Sequence, residues 1–414
     1  MIGDPEIEVT AAKLRHELAD HLAAEGWLRS PDWRAAVEAV PRHAFAPRFY
    51  RASDAPGSSS WLPVTRELVG VDEWLRLVYA DESLITQFDG HEPDWTDPQP
   101  MSDANPTSSS TLPSLVVRML EELQVDDGQN ALEIGTGTGY PTALMCHQLG
   151  AAHVTSIETD HGVAARARDA LSACGYLPRL LTRDGLAGDP GGAPYDRTIA
   201  TVGVRSIPKA WVEQTRPGGF IVATVRGWMR SLGLVRLTVG ADDNAEGRFL
   251  DPGPTFMIAR QQSGPTSFGM IPQPDDGEAR ETSYGPELLT MTDSGFVAQL
   301  ALPDARCFTM LDENGTTRTY VLDAVTHAFA VLTQNDDGTW VVQQGGTDRL
   351  WDHVEEALAL WHAADAPPPT EFGLTVRGAV QRVWMGTPDG PSWFLRAEES
   401  TPPGTGRPPG TVPR

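Results

Sequence analysis

The chain has 414 residues with 56 acidic and 32 basic side chains, a formal net charge of -24, and 40% of its residues are hydrophobic. This length allows two domains with separate cores, and the acidic balance argues against a nucleic-acid partner, which requires a basic face. The sequence contains no apolar run of the roughly 20 residues that span a membrane, and its acidic start lacks a signal-like core, so we expect a cytoplasmic protein with no membrane partner.

The first third of the chain predicts helices followed by a long loop. Residues 10–26 carry leucines at helical spacing and end in a glycine, which predicts an amphipathic helix. Residues 31–50 predict a second helix and a turn. Residues 88–110 are rich in Asp, Pro and Ser, and loops of this length in a compact domain are usually functional or disordered. We therefore expect a lid before the helix at 114–123.

Residues 131–140 contain the most informative pattern, Ala-Leu-Glu-Ile-Gly-Thr-Gly-Thr-Gly-Tyr. Dinucleotide-binding loops have G-x-G-x-x-G and hold a pyrophosphate, whereas this loop has E-x-G-x-G-x-G. The acid would repel phosphate but suits a positive amino group, as in the methionine end of S-adenosylmethionine. The pattern predicts that this loop binds the cofactor through Glu133, Gly135, Thr136, Gly137, Thr138, Gly139 and Tyr140.

Two later acids extend this predicted site. Residues 154–157 form a strand candidate that ends at Glu158, placed to accept both ribose hydroxyls. Asp184 and Gly185 follow a third strand candidate, where a carboxylate can reach an adenine amino group. Strand candidates at 194–200 and 220–223 continue the series. The alternative is that the glycines serve only helix–strand packing in another nucleotide-binding sheet, and the ordered acids argue against it. The predicted cofactor is S-adenosyl-L-methionine, with S-adenosyl-L-homocysteine as product.

At this point the chain resembles the protein-L-isoaspartate O-methyltransferases over roughly residues 8–262. The likeness rests on Val-Pro-Arg-His-Ala-Phe-Ala-Pro at 40–47, Tyr-Ala-Asp at 79–81, Leu-Glu-Ile-Gly-Thr-Gly-Thr-Gly-Tyr at 132–140, Pro-Tyr-Asp at 194–196 and Pro-Gly-Gly at 217–219. It implies an α/β fold: a Rossmann-like S-adenosylmethionine-dependent methyltransferase sheet with helices on both faces. We expect a smaller α+β C-terminal domain in addition.

The chain departs from this family next to the predicted acceptor site. Where the family has Ile-Ser-Gln-Pro or similar, this chain has Ser-Thr-Leu-Pro at 110–113. The resemblance assigns catalysis to Ser110 and Thr111, whose hydroxyls would hold the acceptor carboxylate. The predicted substrate-binding residues are Ser108, Ser109, Leu112, Val202 and Gly203. A serine-rich loop that merely caps the next helix is the structural alternative for each hydroxyl.

The resemblance ends near residue 262, and the remaining chain predicts further elements. Strand candidates lie at 296–302, 319–322 and 340–344, and a helix candidate at 348–363. The serine-rich run and this C-terminal part look like actinobacterial relatives encoded with lanthipeptides and graspetides. Trp351, Trp361 and Trp384 are candidate peptide contacts there, although core positions are the commoner role of such residues.

The expected organisation has six parts. They are an N-terminal helical substrate-side segment (1–85), a lid-like Ser/Pro-rich loop (86–113), an S-adenosylmethionine-binding Rossmann-like core (114–262), a linker (263–280), a C-terminal α+β peptide-recognition domain (281–398) and a disordered tail (399–414).

The resemblance implies a carboxyl O-methyltransferase that esterifies an aspartate of a modified, ribosomally made peptide, leading to aspartimide and isoaspartate. Repair of damaged isoaspartyl proteins is the first alternative. A non-catalytic S-adenosylmethionine-binding scaffold and a small-molecule methyltransferase are alternatives of other classes, although intact acids at 133, 158 and 184 oppose the scaffold. The expected partner is a peptide or protein bearing aspartate or isoaspartate. Scattered cysteines and histidines predict no metal site, and the oligomeric state has no sequence signal.

Overall fold

The computed structural model describes residues 5–55, 59–251, 253–264, 271–272, 276–311 and 315–395. The predicted tail at 399–414 lies outside these residues, as do 265–270 and 273–275 of the predicted linker. The described residues form three β-sheets and the helices packed on them.

The N-terminal segment contains helices and a small antiparallel sheet. Its elements are α1 (Pro5–Ala24), α2 (Pro31–Ala39), α3 (Arg42–Phe45), β1 (Arg48–Ala52), β2 (Trp61–Thr65), α4 (Arg66–Val69), α5 (Val71–Val78), β3 (Leu84–Phe88) and β4 (Pro106–Ser110). The four strands pair in the order β2-β1-β3-β4. Helix α2 begins where the sequence predicts, because the Ser30 hydroxyl accepts the Trp33 N–H at 3.2 Å and Pro31 tolerates the first helical position.

The predicted lid-like loop at 86–113 is shorter in the structure. Its serine-rich end is strand β4, which pairs antiparallel with β3, and Ser110 lies opposite Leu84. Hydrogen bonding to β3 compensates for the low strand propensity of serine, since propensity in strands yields readily to context. The loop proper therefore spans the residues between β3 and β4.

The central sheet begins with five parallel strands. The elements are α6 (Pro113–Leu123), β5 (Ala131–Ile134), α7 (Tyr140–Leu149), β6 (Val154–Glu158), α8 (His161–Ala173), β7 (Arg179–Thr182), β8 (Tyr195–Val204), α9 (Lys209–Gln214) and β9 (Thr215–Arg226). The spatial order is β9-β8-β5-β6-β7. The predicted Rossmann-like sheet is confirmed, and its strand order reverses between β5 and β8, the point where such sheets bind ligands.

The rest of the chain adds antiparallel strands to the central sheet and forms a third sheet. The remaining elements are β10 (Ser231–Val239), β11 (Asn244–Asp251), β12 (Glu278–Thr282), α10 (Thr292–Ala301), β13 (Ala305–Leu311), β14 (Thr317–Asp323), β15 (Phe329–Gln334), β16 (Trp340–Gly345), α11 (Leu350–Ala363), β17 (Phe372–Arg377), β18 (Val380–Met385) and β19 (Ser392–Leu395). Strands β12 to β16 form a five-stranded sheet in the order β12-β16-β15-β14-β13.

The C-terminal residues are shared between the two larger sheets. Strands β17 to β19 continue the central sheet beyond β10 and β11, so that it has ten strands. Residues 373–377 pair directly with 244–248. The predicted domain at 281–398 is thus divided between two sheets. Its last three strands extend the central sheet, because β17 pairs with the free edge of β11. We call helices α10 and α11 together with strands β12 to β16 the C-terminal unit.

One predicted strand is wrong. Residues 296–302 fall largely in helix α10, which buries Phe296, Val297 and Leu300. A short, wholly apolar run fits a buried helix and a buried strand equally well, and here the helix packs between the central sheet and α11. The strand candidates at 319–322 and 340–344 and the helix candidate at 348–363 are confirmed by β14, β16 and α11.

The three tryptophans considered as peptide contacts are core residues. Trp351 is fully buried, and Trp361 and Trp384 are 7% and 3% exposed. Trp351 donates its indole N–H to the Thr282 hydroxyl at 3.1 Å. The structure therefore places all three in the core, the role that the sequence analysis gave as the commoner one, and not among the peptide contacts.

Removing the Phe372 ring should destabilise the whole protein, because Phe372 joins the added strands to α10. Phe372 is fully buried, and its ring centroid lies 4.9 Å from that of Phe296. We expect Phe372→Ala to cost about 3–5 kcal/mol. Phe394→Ala is the matched control, since Phe394 is 64% exposed on β19 and its loss should change stability by less than about 0.5 kcal/mol. Equal urea midpoints for the two variants would contradict this packing.

Candidate active site

A cavity lies at the carboxyl ends of β5, β6 and β8, next to β4. This is the strand-order reversal of the sheet, where α/β folds bind their ligands. The structure brings most of the predicted site residues together in its lining. They are Ser108, Ser109, Thr111, Gly135, Thr136, Gly137, Thr138, Glu158, Asp184, Gly185 and Val202.

The glycine loop after β5 is built from left-handed backbone. Gly135, Gly137 and Gly139 have φ values of 98°, 54° and 92°, which side chains rarely tolerate. A Cβ atom on Gly135 would also lie 2.6 Å from Cγ1 of Val202, across the cavity floor. Glycine therefore lets the loop turn tightly and leaves its backbone open to a ligand.

The carboxyl group of Glu133 lies behind this loop, outside the cavity lining. It is fully buried, and its Oε2 accepts hydrogen bonds from the Thr142 and Ser156 hydroxyls at 2.5 and 2.6 Å. Its Oε1 accepts none from the described residues. Burial raises the pKa of Glu133 to about 7. Glu133 supports the loop from within, and its contact with a ligand's amino group stays a prediction.

Glu158 and Asp184 stand at the wall, as the sequence predicts. Oε2 of Glu158 accepts the N–H of Gly137 at 2.9 Å, and Oε1 accepts the N–H of Asp160 at 3.0 Å. Burial raises the pKa of Glu158, and these hydrogen bonds act in the opposite direction. Asp184 is exposed and accepts the Leu186 N–H at 2.9 Å. Two carboxylates therefore follow neighbouring strands at one edge of the sheet.

Successive side chains along β4 point to opposite faces, so the predicted catalytic hydroxyls do not all reach the cavity. Ser109 and Thr111 place their hydroxyl oxygens 3.3 Å apart and line the cavity. Ser110 is 1% exposed and lies outside the lining, where its Oγ accepts from Nε of Arg42 at 3.3 Å. The structure corrects the catalytic assignment of Ser110, because successive side chains in a strand point to opposite faces. Thr111 keeps its predicted position, and Ser109 joins it.

Four more predicted residues lie outside the cavity lining: Leu112, Gly139, Tyr140 and Gly203. Gly139 and Tyr140 begin helix α7 beneath the loop, and Tyr140 is 1% exposed. Leu112 precedes α6, where its N–H donates to the Ser83 hydroxyl at 3.1 Å, and its side chain packs on the N-terminal core. These positions support the site without forming its surface.

The sequence prediction missed one wall, which comes from the segment after β11. Phe256 to Gln261 line the cavity opposite the glycine loop. Gly203 pairs with this segment: its N–H donates to the Met257 carbonyl, and its carbonyl accepts from Ala259 N–H, both at 2.8 Å. The apolar run at 256–259 was the available sequence signal. Its local pattern does not predict that the chain returns to the parallel strands of the central sheet.

Arg42 of the Val-Pro-Arg-His segment holds the acceptor side in place. Its fully buried guanidinium donates to the carbonyls of Val78, Ala80, Glu82, Ser110 and Thr111 at 2.7–3.1 Å. Desolvation lowers its pKa to about 10, so it stays charged at neutral pH. Through these hydrogen bonds Arg42 fixes the position of the end of β4, and therefore the position of the Thr111 hydroxyl.

A wider recess adjoins the cavity and shares Ser108, Gly137 and Thr138 with it. Its volume is about 1060 Å³, and its lining includes His43 and Trp74. His43 Nδ1 lies 2.7 Å from the Tyr79 hydroxyl. The buried hydroxyl of Thr138 has no hydrogen-bond partner among the described residues. The recess therefore combines an apolar surface with an unsatisfied polar group.

The described residues contain neither a cluster of metal ligands nor a membrane-spanning helix. No group of three or more His, Cys, Asp or Glu side chains is arranged to hold a metal ion. Within the same part of the chain, every helix is too short or too polar to cross a membrane.

Comparison with known proteins agrees with the geometry of the cavity. A profile of the family "Protein-L-isoaspartate(D-aspartate) O-methyltransferase (PCMT)" matches residues 80–246. The protein-L-isoaspartate O-methyltransferase 1 of Anaeromyxobacter sp. is 43% identical over 50% of this chain and 78% of its own length. The Methanosarcina mazei protein-L-isoaspartate O-methyltransferase is 36% identical over 55% and 76%.

The fold comparison extends further along the chain than the sequence comparisons. A solved protein-L-isoaspartate O-methyltransferase superposes with a TM-score of 0.51 at 18% identity, covering 90% of this chain and 100% of that one. At that identity the match concerns the fold alone. The sequence relatives, including one from Ignicoccus hospitalis at 30% identity over 81% of its length, carry the assignment further: this chain belongs to the protein-L-isoaspartate O-methyltransferase family and is an S-adenosylmethionine-dependent methyltransferase.

Proposed function

We propose that this enzyme methylates the free α-carboxylate of isoaspartyl residues in protein or peptide acceptors. The observation that carries the proposal is the composition of the cavity. One wall holds the glycine loop with Glu158 and Asp184, and another holds the paired hydroxyls of Ser109 and Thr111. A methyl donor and a carboxylate acceptor need these two kinds of surface side by side.

The cavity residues fit S-adenosylmethionine, which supplies an activated methyl group when bound. Glu158 has two oxygens that can exchange backbone N–H partners for the ribose hydroxyls. Asp184 is exposed at the next strand end, where it can accept from the adenine amino group. The open backbone at Gly135 and Gly137 accommodates the amino-acid end.

The protein's main task is to position the acceptor. A carboxylate is already nucleophilic at neutral pH, so no general base is needed. The hydroxyls of Ser109 and Thr111 hold it by hydrogen bonds, which offset the cost of removing its charge from water. When bound, S-adenosylmethionine would supply the methyl group and leave as S-adenosylhomocysteine, and the two hydroxyls would hold one carboxylate oxygen toward that methyl group. Good alignment contributes up to about 7–11 kcal/mol to such a step.

The resulting ester reacts further on the peptide itself. The next backbone nitrogen attacks the ester carbonyl, loses its proton and expels methanol, which closes a five-membered imide. Water opens the imide to aspartate or isoaspartate. Only the acceptor therefore distinguishes repair from peptide tailoring.

A second acceptor, a normal aspartate in a modified ribosomal peptide, is supported by the size of the recess. About 1060 Å³ beside the cavity is enough for several side chains of a constrained peptide. The presence of the C-terminal unit favours neither acceptor over the other. A solved protein-L-isoaspartate O-methyltransferase matches the fold over 90% of this chain, so the unit does not by itself indicate peptide tailoring.

Intact-mass spectrometry with two acceptors tests the proposal. The enzyme and S-adenosylmethionine are incubated with an isoaspartyl peptide and, separately, with a macrocyclic peptide that carries a normal aspartate. We expect the isoaspartyl peptide to gain one methyl group or to lose one water as the imide closes. Modification of the macrocycle alone would overturn the proposal in favour of peptide tailoring, and modification of neither would contradict both acceptors.

Glu158→Ala should weaken binding of S-adenosylhomocysteine by at least about 100-fold. The loss of two hydrogen bonds to a carboxylate, each worth about 1.5–3 kcal/mol, accounts for this size. Isothermal titration calorimetry measures the affinity. Glu213→Ala, an exposed change on α9 outside the cavity lining, is the control and should bind normally. Equal affinities of the two variants would remove Glu158 from the donor site.

Glu133→Gln should alter how stability depends on pH. The folded protein holds the Glu133 proton up to a pKa of about 7, whereas the unfolded chain releases it near 4.3. Wild-type stability should therefore fall as pH rises through this window, by on the order of 3 kcal/mol, and the glutamine lacks this titration. Urea unfolding of both proteins at pH 5 and 8 measures the difference. If the free energies of unfolding of wild type and variant differed by the same amount at both pH values, the prediction would be refuted.

Thr111→Val should slow turnover by about 10- to 100-fold and leave S-adenosylhomocysteine affinity unchanged. The change removes one hydrogen bond to the acceptor carboxylate while it preserves the shape of the side chain. Thr238→Val, on an exposed face of β10, is the control and should keep normal turnover. Steady-state kinetics with the isoaspartyl peptide give the result; normal turnover in Thr111→Val would exclude the hydroxyl from catalysis.

A further inference from the structure

The cavity wall that the sequence prediction missed is a strap, defined here as residues 256–262. Hydrogen bonds between Gly203 and the strap residues Met257 and Ala259 fix its first half to the end of β8. The adjoining strap residues line the cavity opposite the glycine loop. The position of the strap therefore sets how closed the donor cavity is.

Arg260, Asp160 and Gln87 form a hydrogen-bonded cluster, called the clasp, that holds the strap in place. Nη1 of Arg260 donates to Oδ2 of Asp160 at 2.9 Å, and Nη2 donates to Oε1 of Gln87 at 2.6 Å. The Gln87 amide closes the ring by donating to the same Asp160 oxygen at 3.1 Å. The clasp thus joins the strap, strand β3 and the turn after β6, three segments far apart in the chain.

The clasp acts directly on the turn that carries Glu158. The Asp160 N–H donates to Oε1 of Glu158, and the Gln261 amide donates to the Thr159 hydroxyl at 3.3 Å. Arg260 is the strap cation that pairs with Asp160, two residues beyond Glu158. Arg260 is 38% exposed at its side chain, so the clasp can open to solvent.

The far end of the strap is anchored beside the central sheet and is linked through Arg205 to the C-terminal unit. The Gln262 side-chain oxygen accepts the Arg205 N–H at 2.7 Å, and its carbonyl accepts the Trp228 indole N–H at 2.9 Å. Arg205 in turn forms a buried ion pair with Asp304, and its guanidinium lies 3.8 Å from the Trp228 ring centroid. Both ends of the strap are therefore held by hydrogen bonds, and Arg260 is the exposed member of the clasp between them.

We propose that Arg260 is a positioning residue for the methyl donor, and that donor and product exchange require the Arg260–Asp160–Gln87 clasp to open. The inference rests on the proposed donor site. The closed clasp holds the 158–160 turn in position for the ribose and keeps the strap over the bound donor. Arg260 acts through these segments and not on the reacting atoms.

Binding and release of S-adenosylhomocysteine test the inference. Arg260→Gln should bind it about tenfold more weakly, mainly through faster dissociation, because a charge-assisted link is lost. The KM for S-adenosylmethionine should rise while the KM for the acceptor stays constant. Arg260→Lys should recover part of the affinity, since lysine restores the charge but not the two-pronged geometry. Stopped-flow tryptophan fluorescence and steady-state kinetics measure these values.

Two further variants make the outcome decisive. Gln87→Ala leaves the ion pair in place and should speed product release less than Arg260→Gln does. Arg216→Gln breaks an ion pair with Asp196 of similar exposure, on the opposite end of the sheet, and should change nothing. Wild-type dissociation rates in Arg260→Gln, or a change in the acceptor KM alone, would overturn the inference. Failure of the wild-type protein to bind S-adenosylhomocysteine would instead overturn the donor site itself.

Discussion

A single buried cation organises the acceptor half of the molecule. The Arg42 guanidinium has no exposed surface, and five carbonyl groups from the turn after α5 and the end of β4 surround it. An ion of this kind is costly to bury unless its donors are satisfied, so these carbonyls must converge for the fold to be stable. The convergence fixes where β4 ends, and the Thr111 hydroxyl reaches the donor cavity as a result.

The sequence predicted those parts of the site that are encoded by short, local patterns. The glycines at 135 and 137 are required by left-handed backbone, and Glu158 and Asp184 follow their strands directly, so spacing alone located them. Ser110 was assigned to the wrong face because the Ser/Thr run was expected to be a loop, and only pairing with β3 imposes strand alternation on it. The resemblance to a family supplied the position of Thr111, which periodicity could not.

The unpredicted parts of the fold depend on contacts between distant segments. The strap approaches the cavity only because Gly203 offers backbone partners, and β17 joins the central sheet only because β11 has a free edge. Residues 296–302 lacked any periodicity that separates a strand from a helix, and their burial between the central sheet and α11 decided the outcome. In each case a tertiary partner outweighs local propensity.

The pairing of β11 with β17 has a consequence for how the chain folds. Strand β11 ends at Asp251 and its neighbour begins at Phe372, with the whole C-terminal unit between them. During synthesis the edge of β11 is therefore unpaired while the ribosome produces the intervening residues, and exposed edges invite pairing between molecules. Shortened versions that stop after the strap would keep that edge open permanently, so aggregation is the expected cost of removing the C-terminal half.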